Sequence, residues 1–371
     1  MAEKSGIIKK MNALKNQCKK FANHYSTIET QVFSKEVLQQ LSHNGFLGWM
    51  IPTSLGGQGK SARQMILAGE SLMTHCKNFG ITLSWVIHEI VTYWFIHTFG
   101  NDHQHKRFLP KLLSGEQVGA LAISEPGVGP HPKHLKTQAE ISESICLNGE
   151  KTYLTNGPIA DLFVVIAISH IDAGRKQYSA FIVTNDAPGF HYAAPLDFPF
   201  VQTSPHGGIV LNNCIIPKEQ LLGELNTAYN SMVKPFREIE DTLMMGPILG
   251  GMQCQLTYLI NDVYNQKIAL TEAQQLALGQ LQVHLSTGRA IAEKAAQILD
   301  NNNCAIDLLL GFRQLAMSFQ TCFASFINQL PQLNTRQVKT LTGDLRGIGQ
   351  VASKVMKQKQ ITIGKQLINQ L

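Results

Sequence analysis

Apolar residues over the first 116 positions recur at three- and four-residue steps. In VLQQLSHNGFLGWMIP this spacing predicts a helix ending at Pro52, and ITLSWVIHEIVTYWFIHTFG predicts an almost wholly apolar, buried helix. From Val118 to about Gly223 the texture changes to short β runs. GALAIS, LFVVIAIS, YSAFIVT and GIVLNNCII are separated by Gly, Pro and Asn clusters such as EPGVGPHP, LNGEK and NDAPGF. Helical spacing returns from about Asn226. There Thr271 and Gln274 form a capping box ahead of Leu281, Leu285, Ala292, Ala296 and Leu299 on one face. Further helices are predicted at about 311–328 and 335–368, enough for a bundle. The pattern predicts an α+β chain of three domains: helical over 1–117, β over 118–225 and helical over 226–371.

Composition narrows the class. A chain of 371 residues with 44% hydrophobic content is long enough for a large core and more than one domain. The lysine-bearing N-terminal segment lacks the apolar stretch of a secretory signal, and the apolar run Leu162 to Ile168 is too short to span a bilayer, so a cytoplasmic location is expected. The seven cysteines are scattered, without CxxC or metal-ligand spacing, and imply neither a disulfide framework nor a zinc site. The net charge of +6 is uneven: residues 1–20 carry +5, residues 335–371 carry +6, and the body between them about −5. Neither basic end interleaves aromatics with its charges, so solvated helix faces are expected rather than a nucleic-acid surface.

Two motifs invite a different chemistry. GGQGKS, at 56–61, resembles the end of a phosphate-binding loop, but GxxxxGK[ST] requires glycine where Ser54 stands. His131 and His134 lie three apart with no further ligand at metal spacing, which favours a surface loop. No GxGxxG follows a strand and opens a helix, so any dinucleotide binds elsewhere than on a Rossmann unit.

Four ordered segments, NGFLGWMIPTSLGGQG, FGNDHQHKRFLPKLLSGEQVGALAISEPGVG, LNGEKTYLTNGPIADLFVV and PHGGIVLNNCIIPKEQLLGE, resemble the motifs of the acyl-CoA dehydrogenase family. The resemblance covers nearly the whole chain. It implies an N-terminal helical domain, a middle β-barrel or sandwich, and a C-terminal four-helix bundle. It also implies FAD as cofactor, fatty-acid-type metabolism, an acyl-CoA or acyl-carrier thioester as substrate, an electron-transfer flavoprotein-like acceptor, and a homodimer or homotetramer. By resemblance, Leu121, Ile123 and Ser124 edge the flavin ring with Gly129 nearby, Tyr153 replaces the family's tryptophan against the ring face, and Thr155 bonds near N5.

The catalytic base is the decisive position. The family's C-terminal glutamate is missing, since Asp344 is the only acid between Thr335 and Leu371. REIEDTLMMGPILGGMQ instead resembles the isovaleryl-CoA dehydrogenase type, in which an earlier helix supplies the base; this places Glu240 at that position. A carboxylate facing an apolar pocket has the raised pKa that proton abstraction needs. Other positions depart from the family. Pro130 and His131 replace a substrate- and cofactor-facing Ser-Asp pair, Asn261 replaces a pyrophosphate-binding arginine, and Asp241 replaces the arginine after the base. Three readings follow: a thioester dehydrogenase, a flavin monooxygenase on the same fold, and a non-catalytic binding or assembly subunit.

Overall fold

The computed structural model describes residues 2–25 and 32–369. Five helices come first: α1 (Ala2–Tyr25), α2 (Lys35–His43), α3 (Ala62–Cys76), α4 (Phe79–Ile90) and α5 (Asp102–Ser114). Serine and asparagine side chains start α2 to α5: Ser34 caps α2, Ser61 and Gln64 make a capping box on α3, Asn78 caps α4, and Asn101 with Gln104 boxes α5. α2 stops at His43 rather than at Pro52. Gly45 and Gly48 take φ of 71° and 67°, and the apolar residues that extended the helical spacing, Phe46, Leu47, Trp49 and Ile51, are buried from an irregular loop.

That loop also accounts for GGQGKS. The amides of Gly57, Gln58, Gly59 and Lys60 donate to the carbonyls of Pro52, Gly48, Ile51 and Trp49, and the Ser61 hydroxyl caps α3. The donors that would cradle a phosphate are consumed within the turn.

α4 continues through a π-helical stretch, Val91–His97. The combined helix, Phe79–His97, is apolar and long enough to cross a membrane although polar residues interrupt its apolar run, but 89% of it is buried inside the protein. Its buried polar groups are joined to neighbours. His88 Nδ1 accepts the Gly119 amide at 3.2 Å and Nε2 donates to the Leu112 carbonyl at 3.0 Å; burial lowers this imidazole to about 4 and keeps it neutral. The Glu89 carboxylate accepts the amides of Gly48 and Trp49, each at 2.8 Å. One helix thus fixes the preceding loop, α5 and the first strand.

Eight strands follow: β1 (Gly119–Ala122), β2 (Gln138–Ile141), β3 (Ile145–Thr155), β4 (Leu162–Asp172), β5 (Arg175–Thr184), β6 (Phe190–Tyr192), β7 (His206–Ile216) and β8 (Leu221–Leu222). They form one mixed sheet of order β6-β7-β3-β2-β4-β5-β8, with β1 parallel to β4. LNGEK lies inside β3 rather than between strands, and the register against β7 shifts between Leu147 and Gly149, which takes φ of 150° against Thr137.

The remaining helices are α6 (Lys234–Leu243), α7 (Met245–Asn265), α8 (Glu272–Leu299), α9 (Ile306–Gln329), α10 (Arg336–Gln350) and α11 (Ser353–Asn369). The expected helix over 335–368 is broken at Val351–Ala352, where Ala352 takes φ of 58°. α7, α8, α9 and α10 pack as four helices, and α7 lies unusually close to α3: a Cβ on Gly246 would sit 2.2 Å from the Ile66 carbonyl oxygen, and one on Gly250 2.6 Å from that of Glu70. Gly251 faces Leu345 of α10 in the same way. These glycines set the height of α6, which α7 follows almost without a break.

Candidate active site

α6 carries Glu240 and Asp241 to the wall of a cavity of about 480 Å³ enclosed by α6, α7, α9 and α10, with Leu83 of α4 at one side. Met244, Ile248, Phe312 and Leu345 supply apolar wall, while Gln320, Asn328 and Arg346 add polar groups. Glu240 Oε2 accepts from Arg237 Nη1 at 3.0 Å, one helical turn away. Asp241 Oδ1 accepts from Arg313 Nη2 of α9 at 2.7 Å, and Arg237 Nη2 stands 3.6 Å from the same oxygen.

These four charges balance within one buried cluster. Burial raises the Glu240 carboxyl above the usual carboxylate range; Arg237 opposes the rise, Asp241 adds to it, and Arg313 opposes it more weakly. The Glu240 side chain is 19% exposed, open to the cavity rather than sealed in the core. A carboxylate so placed takes up a proton more readily than an exposed one.

A second cluster lies on the sheet. The end of β1 is fixed against β3 by the buried Lys151–Glu125 pair, 2.9 Å apart: Lys151 Nζ also donates to the Ile123 carbonyl at 3.0 Å, and the Thr152 amide donates to the Ser124 carbonyl at 2.9 Å. Glu125 further accepts from the amides of Lys136 and Thr137 and from the Thr137 hydroxyl. Ser124 is thereby held beside Tyr153, which takes φ of 61° and leaves its ring 52% exposed. A β-strand tyrosine in the left-handed region is strained, and such strain concentrates at functional positions. Phe198 lies 6.2 Å from the Tyr153 ring, and Thr155 Oγ1 is 3.1 Å from His206 Nε2.

The two clusters are joined. Phe198 stacks on Phe200 at 5.7 Å, Phe200 presses on Gly347 of α10, and the Val201 amide donates to Asp344 at 2.6 Å. Asn156, which follows Thr155, donates to the Ser84 carbonyl at 3.0 Å, next to the cavity wall at Leu83.

Of the residues singled out in the sequence, Glu240 and Asp241 line the cavity, and Leu121, Ile123, Ser124, Tyr153 and Thr155 gather where β1 meets β3. Gly129 and Pro130 lie on the loop after β1, outside the cavity lining; Gly129 takes φ of 62° and faces open space, and Pro130 is exposed. His131 and Asn261 are exposed too. Sequence reading missed Arg237, Arg313, Phe198, His206 and the Lys151–Glu125 pair. Arg237 was readable as an i, i+3 partner of Glu240. Arg313 gave no local signal, because only the packing of α9 on α6 brings it near.

The chain matches the family models for the acyl-CoA dehydrogenase N-terminal domain over residues 11–116 and the acyl-CoA dehydrogenase middle domain over residues 120–214. It is 30% identical over 300 residues to the mitochondrial isovaleryl-CoA dehydrogenase of Oryza sativa subsp. japonica, covering 76% of this chain and 73% of that one. It is 28% identical over 281 residues to the L-prolyl-[peptidyl-carrier protein] dehydrogenase of Pseudomonas fluorescens, covering 74% and 73%. Butyryl-CoA dehydrogenase from Megasphaera elsdenii superposes with a TM-score of 0.85 at 19% identity, over 96% of this chain and 98% of that one.

Proposed function

We propose, since the chain belongs to the acyl-CoA dehydrogenase family, that it is an FAD-dependent oxidoreductase removing a hydrogen pair from the α and β carbons of an acyl thioester, with Glu240 as the base. The observation that carries this reading is a carboxyl raised by burial above its ordinary range, on the wall of a largely apolar cavity that Phe198 and Phe200 tie to an exposed aromatic platform.

The residues present suit the ring of FAD. An exposed Tyr153 ring beside the hydroxyls of Ser124 and Thr155 matches a planar heteroaromatic system with a polar edge, and the space around Gly129 leaves room for it. FAD, when bound, supplies acceptance of the β hydrogen as hydride. Leu121, Ile123 and Ser124 would border the ring, Tyr153 would stack on it and Thr155 would meet its N5 edge. Glu240 takes the α proton, and burial, by raising its carboxyl above the ordinary range, makes it a stronger base than an exposed carboxylate. Arg237 keeps Glu240 ionisable, and Arg313 holds Asp241 so that its charge stays beside the base without replacing it. The apolar wall excludes water, and Gln320 and Asn328 leave room for a polar acyl group or carrier arm. Electrons then pass to a flavoprotein acceptor.

Of the alternatives, neither a monooxygenase nor a binding subunit needs a base on the cavity wall, so Glu240 favours the dehydrogenase. Anaerobic bleaching of the FAD-loaded protein by CoA- and carrier-bound thioesters tests this. Bleaching that is lost in Glu240→Gln, by on the order of 10²–10⁴ in rate, supports the reading. A protein that takes up no FAD, or bleaching that survives the substitution, overturns it.

A further inference from the structure

We propose that His206 fixes the Thr155 hydroxyl as a hydrogen-bond acceptor toward the flavin N5 edge, and so biases bound FAD toward its reduced form. This rests on the reading that Thr155 meets N5.

His206 Nδ1 is 2.8 Å from the Ser204 carbonyl oxygen, and a carbonyl only accepts, so Nδ1 carries a hydrogen. Burial holds the imidazole below its ordinary range, which keeps the ring neutral. Nε2 is then a bare acceptor, and its partner at 3.1 Å is Thr155 Oγ1. The single proton of that hydroxyl is committed to Nε2, and only its lone pairs remain for a group on its other side.

The arrangement is held from several directions. Thr155 and His206 are directly opposite in the β3–β7 register, so the backbone fixes their separation. The Phe198 ring meets the imidazole edge-on, at 90° and 5.0 Å between centroids. Ser204, whose carbonyl sets the tautomer, is buried and anchored by its hydroxyl to Ser84 at 2.7 Å. No simple rotation of the ring satisfies both nitrogens in another way.

The consequence follows from flavin chemistry. N5 of the oxidised ring is an acceptor with no hydrogen, whereas N5 of the ring reduced by two electrons bears an N–H. A hydroxyl that can only accept is unmatched against the first and paired with the second. One neutral hydrogen bond made in one state and missing in the other favours the reduced form about tenfold, or ~30 mV for a two-electron couple.

Two measurements test this. In protein carrying ring-labelled histidine and no added FAD, long-range proton–nitrogen correlation spectra report the His206 tautomer directly and need no variant. The Nδ1–H form is expected, and an Nε2–H or doubly protonated ring overturns the proposal. Potentiometric titration of the FAD-loaded protein is then compared with His206→Leu, Thr155→Val and the double variant. His206→Leu should lower the potential by about the tenfold equivalent, Thr155→Val should also lower it, and the double variant should add nothing further. If Thr155→Val moves the potential and His206→Leu does not, the proposal fails while the N5 reading survives. If Thr155→Val leaves the potential where it was, the N5 reading fails and the proposal falls with it.

Discussion

Glu240 and Asp241 are consecutive in α6 and border one cavity, yet Glu240 is paired at 3.0 Å with Arg237 of its own helix, while Asp241 reaches Arg313 of α9 at 2.7 Å. The first contact is local and leaves Glu240 19% exposed; the second ties two helices together around a carboxylate only 6% exposed. Adjacent acids thus differ in setting: one opens to the cavity beside a partner on its own helix, the other clamps α6 to α9.

Arg313→Gln should therefore act on stability before chemistry. It leaves Asp241 buried with only the longer Arg237 contact, which should cost about 2 kcal/mol after discounting for Arg313's partial exposure. Adding Asp241→Asn should recover most of that loss. Urea midpoints of the single and double variants check it, and a double variant no more stable than Arg313→Gln contradicts the clamp.

Arg237 should shape the pH profile. With Glu240 as the proposed base, abstraction requires its ionised form; since its carboxyl lies above the ordinary 4.5, kcat/KM should rise with pH through a midpoint above that value. Because Arg237 opposes the rise, Arg237→Gln should move the midpoint to higher pH, with kcat/KM falling on the acid limb and recovering on the alkaline plateau. A profile that keeps its midpoint assigns the limb to another group.

Much of the fold was legible because local signals agreed with it. The Thr271–Gln274 capping box and the apolar α4 form as the periodicity predicts, and each of the four β runs read from the sequence carries a strand. Where reading failed, tertiary packing overrode local pattern: buried Phe46, Trp49 and Ile51 imitate helix spacing from a loop, and LNGEK passes through a strand at a bulge. Glu240 was proposed by resemblance, through a motif whose glycines the structure packs against α3. Arg313 and His206 stayed hidden because their partners lie 72 and 51 residues away in the chain.

Glu89 should give the protein a stability slope near neutrality. Burial raises this carboxyl from 4.5 to about 7 in the folded state, against the pull of the Gly48 and Trp49 amides. Between those values the folded chain holds a proton that the unfolded chain has released, so stability falls as pH rises through the window and levels off above it. The full swing is about 3 kcal/mol. Glu89→Gln should flatten that slope in urea titrations from about pH 5 to about pH 8; an unchanged slope would show that another group carries it.

Lys151 should connect stability to cofactor binding. Its ammonium, wholly buried, is 2.9 Å from Glu125 and 3.0 Å from the Ile123 carbonyl, and burial lowers it to about 8 against the attraction of Glu125. Lys151→Met leaves the buried Glu125 carboxylate without its counter-charge, which should cost about 3 kcal/mol, and frees Ile123 and Ser124 from β3. FAD affinity should drop with stability. The double variant Lys151→Met with Glu125→Gln removes the uncompensated charge but not the loosened Ile123 carbonyl. It should regain most of the urea midpoint while FAD binding stays weak. Full recovery of both would mean that the ion pair serves the fold alone.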